Sequence, residues 1–214
     1  MKRLIPILAA ISIVATLSAC KAQPKKKGTG TKLSLTAPSG KAVAAFAEGC
    51  FWCSEHIFEA VVGVDSSVSG YAGGTAPNPT YELVNTETTG HAESVMVYYD
   101  PKVITYAELL KVFFTSHDPT TPDRQGPDRG NSYRSIIFYK TANEKALAEQ
   151  ARLDFAKSFK NPIVSEIKPL TEFYMAEAYH QNYIEHNQDN PYVSGVSVPR
   201  FELFKRTYKG KLKQ

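Results

Sequence analysis

The stretch Ala42-Val43-Ala44-Ala45-Phe46-Ala47-Glu48-Gly49-Cys50-Phe51-Trp52-Cys53 decides how the rest of the chain is read. Residues 42–47 are an apolar run of strand length, Glu48-Gly49 ends it, and a helical pattern runs from Cys50 to about residue 62. A cysteine preceded by glycine at the first turn of a helix lies where unpaired backbone N–H groups and the helix dipole stabilise a thiolate. The expected consequence is a depressed pKa at Cys50. Cys53 follows one turn later on the same face, within reach of the Cys50 sulfur.

Downstream, residues 64–71 alternate well enough for a second strand, and Gly73-Gly74 through Asn78-Pro79 reads as a loop. Residues 91–100 give the clearest later strand, with Val95, Val97 and Tyr99 on one face. An amphipathic helix is expected over 105–117, carrying Leu109, Leu110, Val112 and Phe113. The Asp-, Pro-, Gly- and Arg-rich residues 118–132 read as a long loop. A strand at 136–139, a helix at 143–159 and a last strand at 163–168 complete the alternation, which predicts a two-layer α/β (α+β) domain with a mixed sheet. After Leu170 the pattern gives way to Tyr-, His- and Asn-rich sequence, read as a long, largely irregular C-terminal tail wrapping the domain. Its terminal charges, from Lys205 to Lys213, are read as solvated.

Upstream, residues 21–40 are rich in Lys, Gly, Thr, Pro and Ser, with Lys25-Lys26-Lys27 in a row, and read as a solvated tether. Before it come Lys2 and Arg3, an apolar run over residues 4–16 and then Leu17-Ser18-Ala19-Cys20, a processing signal outside the fold. The run is short for a spanning helix, which needs roughly 20 apolar residues. It resembles a bacterial lipoprotein signal, which implies cleavage before Cys20 and lipid on that cysteine. At 214 residues and 43% hydrophobic composition the remainder suffices for one sizeable core, and a formal charge of +4 is no nucleic-acid footprint.

With Cys20 set aside, two of the three cysteines remain, both in Cys50-Phe51-Trp52-Cys53. Export would place them in an oxidising compartment. A disulfide closing so short a loop restrains little chain entropy, so redox chemistry explains the spacing better than stability does.

Gly49-Cys50-Phe51-Trp52 resembles the signature of the A-type peptide methionine sulfoxide reductases. Gly70-Tyr71-Ala72-Gly73-Gly74, Asn78-Pro79-Thr80-Tyr81, Thr89-Gly90-His91-Ala92-Glu93, Tyr99-Asp100-Pro101, His117-Asp118-Pro119-Thr120, Gln125-Gly126, Tyr133-Arg134-Ser135 and Tyr179-His180-Gln181 resemble that family's motifs in order. Several motifs in sequence over about residues 42–188 are far more specific than one short match.

The resemblance implies a ferredoxin-like core and a reaction in which Cys50 attacks the sulfur of an S-epimer methionine sulfoxide, in protein, peptide or free form. Methionine leaves and Cys50 becomes a sulfenic acid. Glu93 would supply the proton, Tyr81 and Tyr133 would line the oxygen side, Phe51 and Trp52 would hold the methyl group, and Asp128 would lie in the binding site. A carboxylic acid can do this near neutrality only if burial raises its pKa. Many members have glycine at the position of Cys53 and resolving cysteines in the tail. This tail has none, so Cys53 is expected to close a Cys50–Cys53 disulfide. Ser132 stands where glutamine is common and Asn85 where cysteine is frequent. No organic cofactor or metal is implied. Expected partners are oxidised proteins or peptides as substrate and a thioredoxin-like reductant, with the chain itself a monomer.

Four alternatives compete with this reading. A thiol–disulfide oxidoreductase also uses Cys-x-x-Cys at a helix start, but it needs neither Glu93 nor Tyr81 and Tyr133. A cysteine hydrolase would use His91, His117 or His180 as base, without a local signature. Two cysteines supply only half of a four-ligand metal site, and a lipoprotein binding module would leave Cys50 unused. The expected organisation is a signal peptide over 1–19, a lipid-attachment cysteine and flexible linker over 20–40, and a reductase domain over 41–214, held at the extracytoplasmic or periplasmic face of the cell envelope, where it would repair oxidised proteins.

Overall fold

The computed structural model describes residues 30–214. The expected signal peptide, Cys20 and the lysine run lie outside the described residues.

A seven-stranded sheet organises the chain, and its centre is the stretch quoted first. Strand β1 (Thr31–Lys32) precedes β2 (Ala42–Glu48), helix α1 (Phe51–Glu59), β3 (Val64–Ala72), the single turn α2 (Tyr81–Val84), β4 (Ala92–Tyr99) and α3 (Tyr106–Ser116). The small hairpin β5 (Arg124–Gln125) and β6 (Asp128–Arg129) follows, then β7 (Ser135–Tyr139), α4 (Ala142–Ala156), β8 (Glu166–Pro169), β9 (Phe173–Met175), the short α5 (Tyr183–His186) and α6 (Val198–Thr207). The strand order is β1-β9-β3-β4-β2-β7-β8, with only the β7–β8 pair parallel. Its central four, β3-β4-β2-β7, all antiparallel and joined through α1 and α3, form the ferredoxin-like arrangement, to which α4 and β8 are appended.

The two periodicities explain the layers. In β2 the alternation sends Ala44 and Phe46 to the helical side, with Phe46 stacked on Phe58 of α1 at 5.0 Å and packed on Phe113 of α3 at 5.6 Å. Val43, Ala45 and Ala47 face the other way, with Met96, Ile136 and Phe138. Helix starts follow their capping residues: Thr105 and Glu108 form a reciprocal capping box on α3, and the Thr141 hydroxyl accepts from Glu144 N at 3.1 Å on α4.

Two expectations are corrected. The linker expected to run to residue 40 is ordered in its last part: β1 pairs with β9, Leu33 N donates to Phe173 O at 2.8 Å, and Leu33, Leu35 and Ala37 pack on the second face of the sheet. The loop over 118–132 contains the β5–β6 hairpin and a 3-10 turn, Asn131–Tyr133. The long tail wraps the domain as expected and carries regular pieces. β9 enters the sheet between β1 and β3, and α6 buries Phe204 against the core. A three-residue strand and one buried helical aromatic carry too few turns of periodicity to be seen without their distant partners.

Candidate active site

Gly49 takes φ +86, and a Cβ there would collide with the Gln125 side chain, so glycine is required on both counts at the strand-to-helix corner. Cys50 follows as the residue that caps α1 and makes no side-chain cap of its own. The first free N–H of the helix, that of Phe51, donates instead to Glu93 Oε2 at 3.0 Å. Glu93 arrives on β4 beside Tyr71 of β3, on the face that also carries Val95, Val97 and Tyr99. Strand alternation thus carries the carboxylate into the interior.

A cavity of about 260 Å³ opens over this corner, lined by Cys50, Phe51, Trp52, Tyr81, Glu93, Asp128, Tyr133, Asn190 and Tyr192. All seven residues expected in catalysis or substrate binding other than Cys53 therefore meet in one concavity. Cys53 lies just behind, buried, its thiol donating to Ser197 Oγ at 3.2 Å.

The aromatic wall is held from several sides. Trp52 Nε1 donates to His180 Nδ1 at 3.0 Å, and its ring stacks on Tyr183 at 3.7 Å with 5° between planes. Tyr81 is fixed through its backbone, since its N–H donates to Glu177 Oε1 at 3.0 Å while Tyr71 Oη donates to Glu177 Oε2 at 2.9 Å. Tyr133 sits on a turn anchored by Glu87, which accepts from Ser132 N at 3.0 Å and Ser132 Oγ at 2.7 Å.

The electrostatics are dominated by desolvation. Burial pushes Glu93 up to about 8, with Asp128, Cys53 and Glu87 adding repulsion and the Phe51 N–H opposing. Near neutrality this carboxyl is mostly protonated and can donate. Tyr81, Tyr133 and Tyr192 are likewise raised by burial and stay neutral donors.

The depression expected at Cys50 belongs to the buried Cys50–Cys53 pair, which titrates together. Burial and then the neighbouring Cys53 raise Cys50, against which the Tyr192 hydroxyl works. Cys53 is lowered to about 6 by the hydrogen bond from Cys50, then by the Arg200 charge and Ser197. The pair thus holds one thiolate near neutral pH, with the remaining proton between the two sulfurs.

The histidines of the hydrolase alternative are committed elsewhere. His91 bridges Ala76 O at 2.8 Å and Gly74 N at 3.3 Å, His117 bridges Phe113 O and Ser135 Oγ at 2.8 Å each, and His180 holds Trp52. Sequence reasoning missed Tyr192, whose hydroxyl donates to Asp128 Oδ2 at 2.5 Å and reaches Cys50. It also missed Asn190, Tyr183, Glu177 and Ser197. No local pattern marks them, because each acts through a contact between the tail and the head of the sheet.

A family model described as "Peptide methionine sulfoxide reductase" matches residues 42–212. The chain is 46% identical over 171 residues to the peptide methionine sulfoxide reductase MsrA of Thermus thermophilus, covering 80% of this chain and 97% of that protein. Among solved structures it is similar to reduced Mxr1 from Saccharomyces cerevisiae, with a TM-score of 0.69 and 33% identity over 73% of this chain and 94% of that one. Mxr1 has also been solved in complex with Trx2, and that structure matches at a TM-score of 0.51 and 28% identity, covering 70% of this chain and 94% of that one.

Proposed function

The chain belongs to the peptide methionine sulfoxide reductase family and is an oxidoreductase, and from that premise we propose that it reduces the S epimer of methionine sulfoxide in proteins and peptides, with Cys50 as nucleophile and Glu93 as acid. The observation that carries this is a buried carboxyl with its pKa raised to about 8, sharing one small cavity with a cysteine at a helix start.

The chemistry follows from those two groups. A sulfoxide oxygen is a poor leaving group until it gains protons, and Glu93 is protonated where an exposed carboxyl would not be. Tyr81 and Tyr133 add neutral O–H donors on the same side. Cys50 attacks the substrate sulfur to form an S–S bond while the protonated oxygen leaves that sulfur as water; water then adds to the Cys50 sulfur, the S–S bond breaks, methionine leaves and Cys50 is a sulfenic acid. Cys53 then attacks the Cys50 sulfur, the disulfide forms, and the oxygen departs as water. The electron pair lost by the two thiols is the pair gained by the substrate sulfur. Trp52 and Phe51 form the apolar side that receives the methyl group.

A thioredoxin-like donor would reduce the disulfide by exchange. The complex of Mxr1 with Trx2 supports that reading. The Leu17-Ser18-Ala19-Cys20 step after an apolar run supports an envelope-anchored lipoprotein that repairs oxidised envelope proteins. Loss of membrane fractionation in Cys20→Ala tests the anchor.

The deciding experiment presents separate S and R sulfoxide epimers of a peptide to the purified full chain with dithiothreitol. Turnover of the S epimer alone, abolished in Cys50→Ser, is the expected result. Absence of turnover alongside active disulfide exchange would return the chain to the thiol–disulfide oxidoreductase class.

A further inference from the structure

Behind Cys53 lies a buried polar network that the reaction as written does not use. Ser197, at the start of α6, is 1% exposed and hydrogen-bonded to the Cys53 sulfur at 3.2 Å. One turn later Arg200 is fixed in three places: Nε donates to Ser116 O at 2.8 Å, and NH2 donates to Glu48 O at 3.0 Å and to Glu48 Oε1 at 2.9 Å. Glu48 in turn accepts from Ser116 Oγ at 2.6 Å. A planar guanidinium held by acceptors on two elements is fixed in place, and its charge is among the causes that favour the Cys53 thiolate.

We propose that Ser197 and Arg200, both supplied by the C-terminal segment, are positioning residues for Cys53, fixing its sulfur and stabilising its thiolate for attack on the Cys50 sulfenic acid. This rests on the reading of Cys53 as the resolving thiol.

Arg200 is ion-paired with Glu48 at 2.9 Å, and burial raises the Glu48 carboxyl. The other titratable groups around Cys53 are Cys50 at the head of α1, Glu93 on β4, Asp128 on β6 and Tyr192 in the tail. All of these are neutral or negative, so Arg200 is the one cation in this cluster among the described residues. His117, 3.7 Å from Glu48, is pushed down to about 3 by burial and carries no charge. In the resolving step the Cys53 thiolate forms the S–S bond, the Cys50 S–O bond breaks, and the oxygen leaves as water after taking a proton. Ser197, which accepts from the thiol, becomes the donor to the thiolate.

The test uses the purified full chain, stoichiometric peptide sulfoxide and no reductant. Methionine release reports the first step, and dimedone capture reports the lifetime of the Cys50 sulfenic acid. Ser197→Ala should still give a methionine burst but lengthen that lifetime about fivefold, the scale of one hydrogen bond, with Ser197→Thr restoring it. In a Cys50→Ala background, the pH midpoint of Cys53 thiolate absorbance should rise by about one unit in Arg200→Met, with partial recovery in Arg200→Lys. A purely structural role would not move that midpoint. If wild type gives a burst while the Ser197 and Arg200 variants keep its lifetime and midpoint, the positioning role is overturned and the reductase reading stands. If wild type gives no burst, the reductase reading itself fails. Should Arg200→Met not fold, Ser197→Ala decides alone.

Discussion

The N–H of Phe51 donates to Glu93 Oε2 at 3.0 Å, so the proposed acid is tied to the first turn of the helix whose start carries Cys50, the proposed nucleophile. The bond favours the carboxylate, yet desolvation outweighs it and leaves the group protonated up to about pH 8.

Glu93→Gln keeps the amide-accepting oxygen and removes the proton. Single-turnover methionine formation should slow by about a hundredfold, while Cys50 remains open to alkylation. The wild-type rate should fall as pH rises through about 8, where the acid form is lost. A Glu93→Gln variant with the wild-type single-turnover rate would remove Glu93 from the acid role.

Stability carries the same signature. A carboxyl whose folded pKa is raised contributes most below its unfolded value and loses that contribution as pH rises through the folded one, here from 4.5 towards about 8. The glutamine of the Glu93→Gln variant would mimic the protonated form at all pH values. The thermal midpoint of Glu93→Gln relative to wild type should therefore climb between about pH 5 and about pH 8. A constant difference across that window would contradict the raised pKa.

Tyr192→Phe removes the hydroxyl that donates to Asp128 at 2.5 Å and reaches Cys50. Asp128 is then half-buried with one donor fewer, and Cys50 loses a group that favours its thiolate. The first-step rate should drop about tenfold, with the alkylation midpoint of Cys50 moving up. Both are read by stopped single turnovers and pH-dependent labelling.

Trp52→Phe preserves an aromatic face but loses the indole N–H bond to His180 at 3.0 Å. The ring should lose its fixed orientation against Tyr183, raising KM several-fold, about the scale of one hydrogen bond, with little change in kcat. Equal losses in kcat and kcat/KM would instead place Trp52 in the transition state alone.

Cys53→Ser should release one methionine per enzyme and then stall with Cys50 as sulfenic acid, visible by mass spectrometry. Sustained thioredoxin-driven turnover in this variant would overturn local resolution by Cys53.

Much of this was legible along the chain because it depends on near neighbours. The apolar run into Gly49-Cys50 dictates a strand that turns into a helix, and spacing alone puts Cys53 one turn from Cys50. Glu93 was partly legible: it extends the Val95, Val97, Tyr99 face by two residues, so strand alternation already directs it inward, even though a lone glutamate in a strand more often meets solvent.

The sequence by itself determined the β2–α1 corner, the order β2-α1-β3-β4-α3-β7-α4-β8 of the main elements, and the two thiols. Only the tertiary structure decided that the two thiols form a buried pair sharing one charge and what encloses the cavity. Ser197 is separated from Cys53 by 144 positions and Arg200 from Glu48 by 152, and Tyr192 meets Asp128 across 64. Such contacts have no periodicity to read. They exist because β9 closes onto β3 and α6 docks on the core, folding the Tyr- and Asn-rich tail back over Cys50, and the burial that follows raises Glu93 while Arg200 and the hydrogen bond from Cys50 lower Cys53.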